Sequence, residues 1–380
     1  MSHSKSNVSE VSQLIPINRP KIGEEEIEAV VRVLRSGMLT SGLGTGPNVS
    51  EFEKNYATFA GVRHAVAVNT GTAALHAAML AAGIGAGDEV ILPAFTFVAT
   101  AEAVVMTGAK PVFADIDPET YNLSPNAIKK AVTKKTKAVV PVDLYGLPAD
   151  TKPIGEIAAE HGLVVIEDCA QSHGATYQGK PVGFLADLAC WSLYAAKNIG
   201  TGEGGVVTTD NDDLAEKVRM VRTHGEKVKY TSLMLGTNYR MTEIQAAIGI
   251  VQLKRLPEFL AKRTSNAQAL NRLLSKSEKI KLPPQLANRT ASWYLYTVRI
   301  RNATQTQRNN IISELHSKGI GAEVYYPTPV HQMPYYRETF GQFNLPETEK
   351  AANQVLSLPI HPGVTEEQIR FIAETFMQLL

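Results

Sequence analysis

The stretch WSLYAAKNIGTGEGG, residues 191–205, carries one lysine between a short apolar run and a turn rich in glycine. Two alanines precede Lys197, and four glycines follow it within the same stretch. Beside such small residues the side chain can reach a pocket, where partial burial lowers the pKa of the amine and makes it nucleophilic. A surface lysine before a turn is the alternative interpretation, and this stretch alone does not decide between the two.

Short apolar runs alternate with segments of helix length on both sides of this stretch. The predicted strands lie at 65–68, 89–92, 110–113, 138–142, 163–166, 188–193 and 205–208, and the predicted helices between them include 73–82, 99–107, 125–133 and 151–161. Strands that are apolar almost throughout and alternate with helices indicate a mostly parallel sheet that is covered on both faces. The pattern therefore predicts a large α/β domain around a mostly parallel seven-stranded sheet.

The ends of the chain differ from this alternating region. Residues 1–14 are polar and predict a disordered tail, so that the large domain is expected to span 15–262. The remainder, 263–380, predicts a smaller C-terminal α+β domain. Its predicted elements are a strand at 292–300 and helices at 305–318 and 365–380.

Two local patterns concern helices in the last 140 residues or so of the chain. Residues 241–275 predict a long amphipathic helix that Pro257 is expected to kink or break, because proline lacks a backbone N–H. Thr365, followed three residues later by Gln368, has the pattern of a capping box at the start of the last helix.

The composition excludes several classes of protein. Lys plus Arg total 38 and Asp plus Glu total 37, so the net charge of +1 offers no basic excess for nucleic acid. Every apolar run is shorter than the roughly 20 residues that a membrane helix needs, and the N-terminus lacks the apolar segment of a secretory signal. Cys169 and Cys190 form neither a metal-ligand pattern nor a disulfide framework, which favours a reduced cytoplasmic location.

Two of the predicted strands end in residues that suit a flat, anionic ligand. Residues 69–72, Asn-Thr-Gly-Thr, lie before a predicted helix, where small residues leave backbone N–H groups free at the positive end of the helix dipole. This pattern predicts a phosphate site, although threonine also caps helices without any ligand. Phe97 follows the strand at 89–92 and could lie flat on a planar cofactor, with a core aromatic as the alternative.

Asp168 directly follows the apolar run GLVVI, so its carboxylate is expected to be partly buried and to need a positive partner. A protonated pyridine nitrogen is such a partner, and capping of the next helix is the alternative role. The glycine–threonine turn, Phe97, Asp168 and Lys197 all follow predicted strands, and one shared site explains this better than separate structural roles. A Schiff base between Lys197 and a carbonyl cofactor is then the first hypothesis.

Seven motifs resemble those of pyridoxal-phosphate enzymes of the aspartate-aminotransferase fold, in particular the DegT/DnrJ/EryC1/StrS sugar aminotransferases. The motifs are NTGTAALHAAM, DEVILPAFTFVAT, PVFADID, VIEDCAQSHGA, WSLYAAKNIGTGEGG, GTNYRMTEIQAAIG and YYPTPVHQMPYY, spread over nearly the whole chain after residue 15. Relatives that remove a sugar hydroxyl have histidine in place of the lysine, and iron–sulfur relatives carry extra cysteines. This chain has the lysine and lacks those cysteines, so the resemblance favours amine transfer.

The resemblance implies a cofactor, pyridoxal 5′-phosphate, and a set of residues around it. Lys197 would bind the cofactor as a Schiff base, and Asp168 would pair with its ring nitrogen. Phe97 would stack on the ring, while Gln171 would lie near the phenolic oxygen. The phosphate would be held by Gly71, Thr72 and Ser192, together with Asn238 contributed by the neighbouring subunit of a homodimer.

The resemblance also implies a substrate and the residues near it. The expected reaction is a ping-pong transfer of an amino group from glutamate to a nucleotide-linked 3- or 4-keto sugar. Tyr326 and His331 would border the sugar, and Arg240 is one candidate for binding the nucleotide diphosphate.

Two further hypotheses about function remain open at this point. In the first, the acceptor is a keto-inositol or a cyclic keto acid. In the second, the chain is a regulator that binds pyridoxal phosphate or an amino sugar without turnover. Such regulators usually carry an additional basic DNA-binding region, and this sequence contains none.

Overall fold

The computed structural model describes residues 14–380, and residues 1–13 of the predicted tail lie outside the described part. The strands are β1 (His64–Val68), β2 (Glu89–Pro93), β3 (Lys110–Ala114), β4 (Thr136–Val139), β5 (Val164–Asp168), β6 (Thr176–Tyr177), β7 (Lys180–Pro181), β8 (Leu188–Ser192), β9 (Gly205–Thr209), β10 (Glu226–Val228), β11 (Thr231–Ser232), β12 (Ile280–Lys281), β13 (Arg289–Thr290), β14 (Tyr296–Ile300) and β15 (Val355–Leu358). The helices are α1 (Glu24–Ser36), α2 (Pro47–Ala60), α3 (Gly71–Ala81), α4 (Ala99–Met106), α5 (Pro125–Ala131), α6 (Thr151–His161), α7 (Asp212–Arg222), α8 (Glu243–Leu274), α9 (Gln305–Ser317), α10 (Pro334–Phe340), α11 (Pro346–Gln354) and α12 (Glu366–Leu379).

Seven strands form the central sheet, in the order β1-β9-β8-β5-β4-β2-β3. Strand β9 runs antiparallel to both of its neighbours, and the other neighbouring strands pair in parallel. The predicted mostly parallel seven-stranded sheet is therefore confirmed. Because six strands point the same way, the loops that follow β1, β2, β5 and β8 meet at one edge, where open α/β sheets bind ligands.

Helices cover both faces of the sheet, which explains why its strands are apolar almost throughout. Helix α3 is built mostly from Ala, Leu and Met and packs on β5, β8 and β9. The face beside β1 and β8 carries α2 and α8, with a cluster of edge-to-face aromatic contacts among Phe52, Tyr56 and Trp191. Such packing holds the ligand-binding edge on a rigid layer.

The predicted break at Pro257 is wrong, since α8 runs without interruption from Glu243 to Leu274, whereas the alternative of a kink stays a prediction. Pro257 lies on the exposed side of α8, where the carbonyl that loses its partner can bond to water instead. Leu256 and Phe259 flank it and are buried in the core, so packing keeps the helix in register.

The C-terminal region packs β12, β14 and β15 as a three-stranded antiparallel sheet against the end of α8, α9 and α12. Strand β14 starts at Tyr296 instead of residue 292, because Trp293 has a φ of 53° that interrupts the extended chain. The capping box at α12 is confirmed, since Thr365 Oγ1 accepts from the amide of Gln368 and Gln368 Oε1 accepts from the amide of Thr365.

The division into a large domain and a smaller one at residues 262 and 263 stays a prediction. Helix α8 passes through that point and contributes to the cores on both sides. Within residues 14–380, no helix combines the length and the apolar character that a bilayer span requires.

Candidate active site

The loop that carries Lys197 lies between β8 and β9, at the edge of the sheet where the parallel strands end. It is closed by backbone hydrogen bonds, among them a 2.8 Å bond from the amide of Leu193 to the carbonyl of Gly204. A Cβ on Gly205 would lie 2.2 Å from the carbonyl oxygen of Thr70, so only glycine fits there. The glycines thus bring the lysine loop against the start of α3.

The amine of Lys197 is held in a half-buried position above the ring of Tyr294, with its nitrogen 4.6 Å from the ring centroid. Burial lowers the pKa of Lys197 to about 8, and the charges of Asp168 and Tyr194 offset part of that effect. A fraction of the amine is therefore unprotonated near neutral pH and able to attack a carbonyl carbon.

Asp168 is the last residue of β5, and its carboxylate is buried. Thr100 Oγ1 donates to Oδ2 over 2.9 Å, and the amide of Ala170 donates to Oδ1 over 3.1 Å. Burial raises the pKa of Asp168, while these two donors and the charge of Lys197 work in the opposite direction. The sequence analysis did not identify Thr100, although it lies three residues after Phe97 in a motif already singled out.

Gly71, Thr72 and Ser192 come together where α3 begins and β8 ends. Thr70 caps α3 by accepting from the amide of Ala73 over 3.0 Å, and the first amides of the helix have no partner within it. A Cβ on Gly71 would lie 2.7 Å from Cβ of Ser192, so the glycine permits this close approach. Free amides at the positive end of a helix dipole bind phosphate groups well.

Phe97, Tyr326 and Gln171 meet beside this edge of the sheet. The rings of Phe97 and Tyr326 have centroids 5.9 Å apart, and about half of Phe97 is exposed. Gln171 Nε2 donates to the hydroxyl of Tyr326 over 3.2 Å, while its Oε1 accepts from the amide of Tyr145 over 2.7 Å. Both ends of the Gln171 amide are therefore oriented by neighbours.

These residues suit a planar pyridine ring that carries an aldehyde and a phosphate. A buried carboxylate is costly without a positive partner, and no Lys, Arg or His within the described residues forms an ion pair with Asp168. A protonated ring nitrogen would satisfy that requirement. The start of α3 would take the phosphate, and the amine of Lys197 would reach the aldehyde.

The other predicted site residues lie around this group. Asn238 is exposed, and its carbonyl accepts a 3.4 Å hydrogen bond from the side chain of Asn69, close to the start of α3. The backbone of Arg240 forms an isolated antiparallel bridge with that of Val68 at the end of β1. His331 is buried away from solvent, with Nε2 3.2 Å from a carboxylate oxygen of Glu349. The predicted roles of these residues in binding stay predictions.

Comparison with known proteins adds to this geometry. A model of the DegT/DnrJ/EryC1/StrS aminotransferase family matches residues 20–377. The GDP-perosamine synthase of Caulobacter vibrioides is 40% identical over 370 residues, which cover 96% of this chain and 98% of that protein. A pleiotropic regulatory protein of Geobacillus stearothermophilus is 42% identical over 349 residues, covering 91% of this chain and 92% of the relative.

A solved structure shows the same architecture. The putative sugar aminotransferase Spr1654 from Streptococcus pneumoniae, in its PLP form, matches with a TM-score of 0.91 at 29% identity. The match covers 96% of this chain and 98% of that one.

A second pair of buried carboxyl groups, which no sequence motif indicated, includes Glu167, the residue before Asp168 in β5. Oxygen atoms of Asp143 and Glu167 lie within 4.8 Å of each other. Asp143 accepts from the amide of Ala149 over 2.7 Å and from the hydroxyl of Ser172 over 2.7 Å, whereas Glu167 Oε1 has no partner among residues 14–380. Burial raises the pKa of both carboxyls, that of Asp143 to about 6. Burial therefore favours a proton on this pair, and we assign it to Glu167, whose pKa is raised well above its ordinary value.

We expect Glu167→Gln to keep near-wild-type stability, because its amide still donates toward Asp143 as a protonated carboxyl would. Glu167→Ala should lose about 1–3 kcal/mol, since the amide of Gly183, which donates to Glu167 Oε2 over 3.1 Å, is left without that acceptor. A raised pKa in the folded state means that wild-type stability falls as pH rises through that pKa, and Glu167→Gln should lose this fall. Urea unfolding of the three proteins at a series of pH values that rises from about 4.5, the ordinary pKa of a glutamate carboxyl, measures both effects. Equal losses of unfolding free energy in Glu167→Gln and Glu167→Ala would contradict a protonated Glu167.

Proposed function

The chain belongs to the DegT/DnrJ/EryC1/StrS aminotransferase family, and we propose that it transfers an amino group from glutamate to a nucleotide-linked 3- or 4-keto sugar. One observation carries the proposal. The amine of Lys197 and the carboxylate of Asp168 occupy one edge of the sheet beside an anion-binding helix start, in a chain 40% identical to a GDP-perosamine synthase. The product would be an amino sugar.

Pyridoxal 5′-phosphate is the cofactor of this family. When bound, it supplies a protonated pyridine ring that accepts the electron pair released at the substrate carbon. Asp168 holds the proton on the ring nitrogen, and Thr100 and the amide of Ala170 prevent its carboxylate from turning away. The amides of Gly71 and Thr72 and the hydroxyl of Ser192 bind the phosphate.

Lys197 has two tasks in the proposed reaction. Its amine would hold the cofactor, and it would act as an acid and a base once it is released. The released amine moves a proton to and from the substrate carbon, a role for which a pKa of about 8 is well suited at neutral pH. Because the 2-oxo acid of the donor would leave before the acceptor binds, the kinetics are expected to be ping-pong.

Around the ring, Phe97 would stack on one face and Gln171 would lie near the phenolic oxygen. Tyr326, whose hydroxyl is oriented by Gln171, borders the sugar. His331 and Arg240 are the proposed contacts to the sugar and to the nucleotide diphosphate.

The active unit is proposed to be a homodimer in which Asn238 of one subunit completes the phosphate site of the other. The hairpin of β10 and β11 precedes Asn238 and exposes several apolar side chains, those of Val228, Tyr230, Leu233 and Leu235. Exposed apolar groups clustered in one short segment are typical of a protein interface. In a twofold dimer each such segment would cover the partner's site.

A regulatory protein that binds the cofactor without turnover is the second candidate. The 42% identity to a pleiotropic regulatory protein favours keeping it. The presence of Lys197, whose amine has a lowered pKa, favours an enzyme that turns over. A direct assay separates the two.

We expect glutamate to convert the cofactor absorbance of the purified protein, and a nucleotide keto sugar to restore it. A keto-inositol and a cyclic keto acid serve as alternative acceptors in the same titration. Lys197→Ala should bind the cofactor yet lose turnover by a factor of at least about 10²–10⁴, because the proton-transferring amine is gone. Lys129→Ala, an exposed lysine on α5, is the matched control and should be unaffected.

Two outcomes of this titration contradict the proposal. Normal turnover by Lys197→Ala removes the lysine from the chemistry. A wild-type spectrum that responds to none of the acceptors favours the regulatory candidate.

Mixing Lys197→Ala subunits with Asn238→Ala subunits tests the shared site. If Asn238 serves the partner, one site of each mixed dimer collects both changes and the other has neither, so activity should rise toward half of the wild-type value per mixed dimer. If each subunit uses its own Asn238, no mixture exceeds the weighted average of the two parents. Mass measurement in solution shows whether dimers form at all.

A further inference from the structure

A separate recess of about 290 Å³ opens between the lysine loop, the middle of α8 and the extended segment at residues 18–22. The residues that define its chemistry are Arg19, Lys21, Lys197, Gln252, Phe259 and Arg263. A volume at the lower end of the range for ligand pockets, about 300–1,000 Å³, suits a small metabolite better than a nucleotide-linked sugar.

The recess is positively charged. Arg19, Lys21, Lys197 and Arg263 line it, and no Asp or Glu is found among its described lining residues. Lys21 is neutralised by Glu258 at 2.7 Å, whereas neither Arg19 nor Arg263 forms an ion pair with a carboxylate among residues 14–380. The unmatched charge favours an anion.

Arg263 is built into the base of this recess. It is 2% exposed, and its Nη1 donates to the carbonyls of Trp293 at 3.2 Å and Tyr294 at 3.1 Å. Its Nη2 donates to Asn18 Oδ1 over 3.4 Å, while its Nε has no partner among the described residues. A buried guanidinium charge is costly, and an anion bound nearby would offset part of that cost. Burial lowers the pKa of Arg263 to about 10, so it stays charged at neutral pH.

Tyr294 connects this guanidinium to the reacting amine. Its carbonyl accepts from Arg263, and its ring lies under the amine of Lys197 at 4.6 Å. Lys197 and Arg263 both line the recess, so a ligand held there by Arg263 would lie near the amine that the proposed reaction uses.

We propose that this recess binds a carboxylate of a dicarboxylic amino donor, with Arg263 and Arg19 as its counter-ions. The inference rests on the proposed amine transfer and adds to it a basis for donor selection. The donor and its 2-oxo acid product are small and doubly carboxylated, so both match the size and the charge of the recess. The nucleotide sugar would remain in the outer cleft near Phe97 and Tyr326.

Calorimetric titration of the holoenzyme with glutarate, a dicarboxylate without an amine, tests binding without turnover. We expect Arg263→Lys to weaken glutarate binding at least about tenfold, because lysine cannot reproduce the planar fork of arginine donors. Arg19→Ala should weaken it about threefold or more; Arg19 is exposed, so this variant keeps the test valid if Arg263→Lys folds poorly. Arg301→Ala, another exposed arginine beyond β14, is the matched control and should bind glutarate like the wild type.

Two parallel titrations, with butyrate and with UDP, identify the chemistry of the site. Both arginine variants should change butyrate binding less than glutarate binding and leave UDP binding unchanged. Unchanged glutarate affinity in both variants overturns the proposal. A loss of UDP affinity without a loss of glutarate affinity also overturns it, because the recess would then bind the phosphates of the nucleotide.

Steady-state kinetics distinguish a failure of this inference from a failure of the proposed function. If wild type aminates a keto sugar from glutamate and both arginine variants keep the wild-type KM for glutamate, the recess assignment is wrong and the function stands. If glutarate binding follows the variants as expected and no keto sugar is aminated, the recess stands and the proposed acceptor is wrong.

Discussion

The placement of the Lys197 amine and the Asp168 carboxylate in one buried cleft is the constraint on which the rest of this site depends. Both groups are costly to remove from water, and each lowers the cost of the other, since the carboxylate raises the pKa of the amine and the amine lowers that of the acid. Burial nevertheless prevails at Lys197, which keeps its pKa near 8. The amine is thus reactive because burial lowers its pKa, and the nearby carboxylate of Asp168 limits that decrease.

The fold supplies this placement through parallel strands. Strands β5 and β8 are neighbours, so the residues that follow them necessarily emerge side by side. Strand β9 runs antiparallel and returns beside β8, which confines the lysine loop to a tight, glycine-rich connection. Glu167, next to Asp168 in β5, lies close to the buried carboxyl of Asp143, and burial and the charge of Asp168 both contribute to the raised pKa of Asp143.

Local patterns made much of this predictable from the sequence. Apolar runs located all seven strands of the sheet, and the position of Asp168 after such a run indicated a buried carboxylate. Groups that meet only through tertiary packing could not be identified in this way. Arg263 lies in the middle of a long helix and looks like any solvated arginine there, yet it is buried. The predicted break at Pro257 was wrong for the same reason, because the effect of a proline depends on whether it lies on the exposed side of the helix.

The most direct test of this account is the titration of Lys197 in the cofactor-free protein. Competitive acetylation across a range of pH, with the Lys197 peptide and the Lys129 peptide quantified together, reports the pKa of each amine. The account predicts a midpoint of about 8 for Lys197 and a lower one in Asp168→Asn, because the carboxylate that favours the charged amine is gone. A Lys197 midpoint near that of an ordinary lysine, about 10.4, would contradict it.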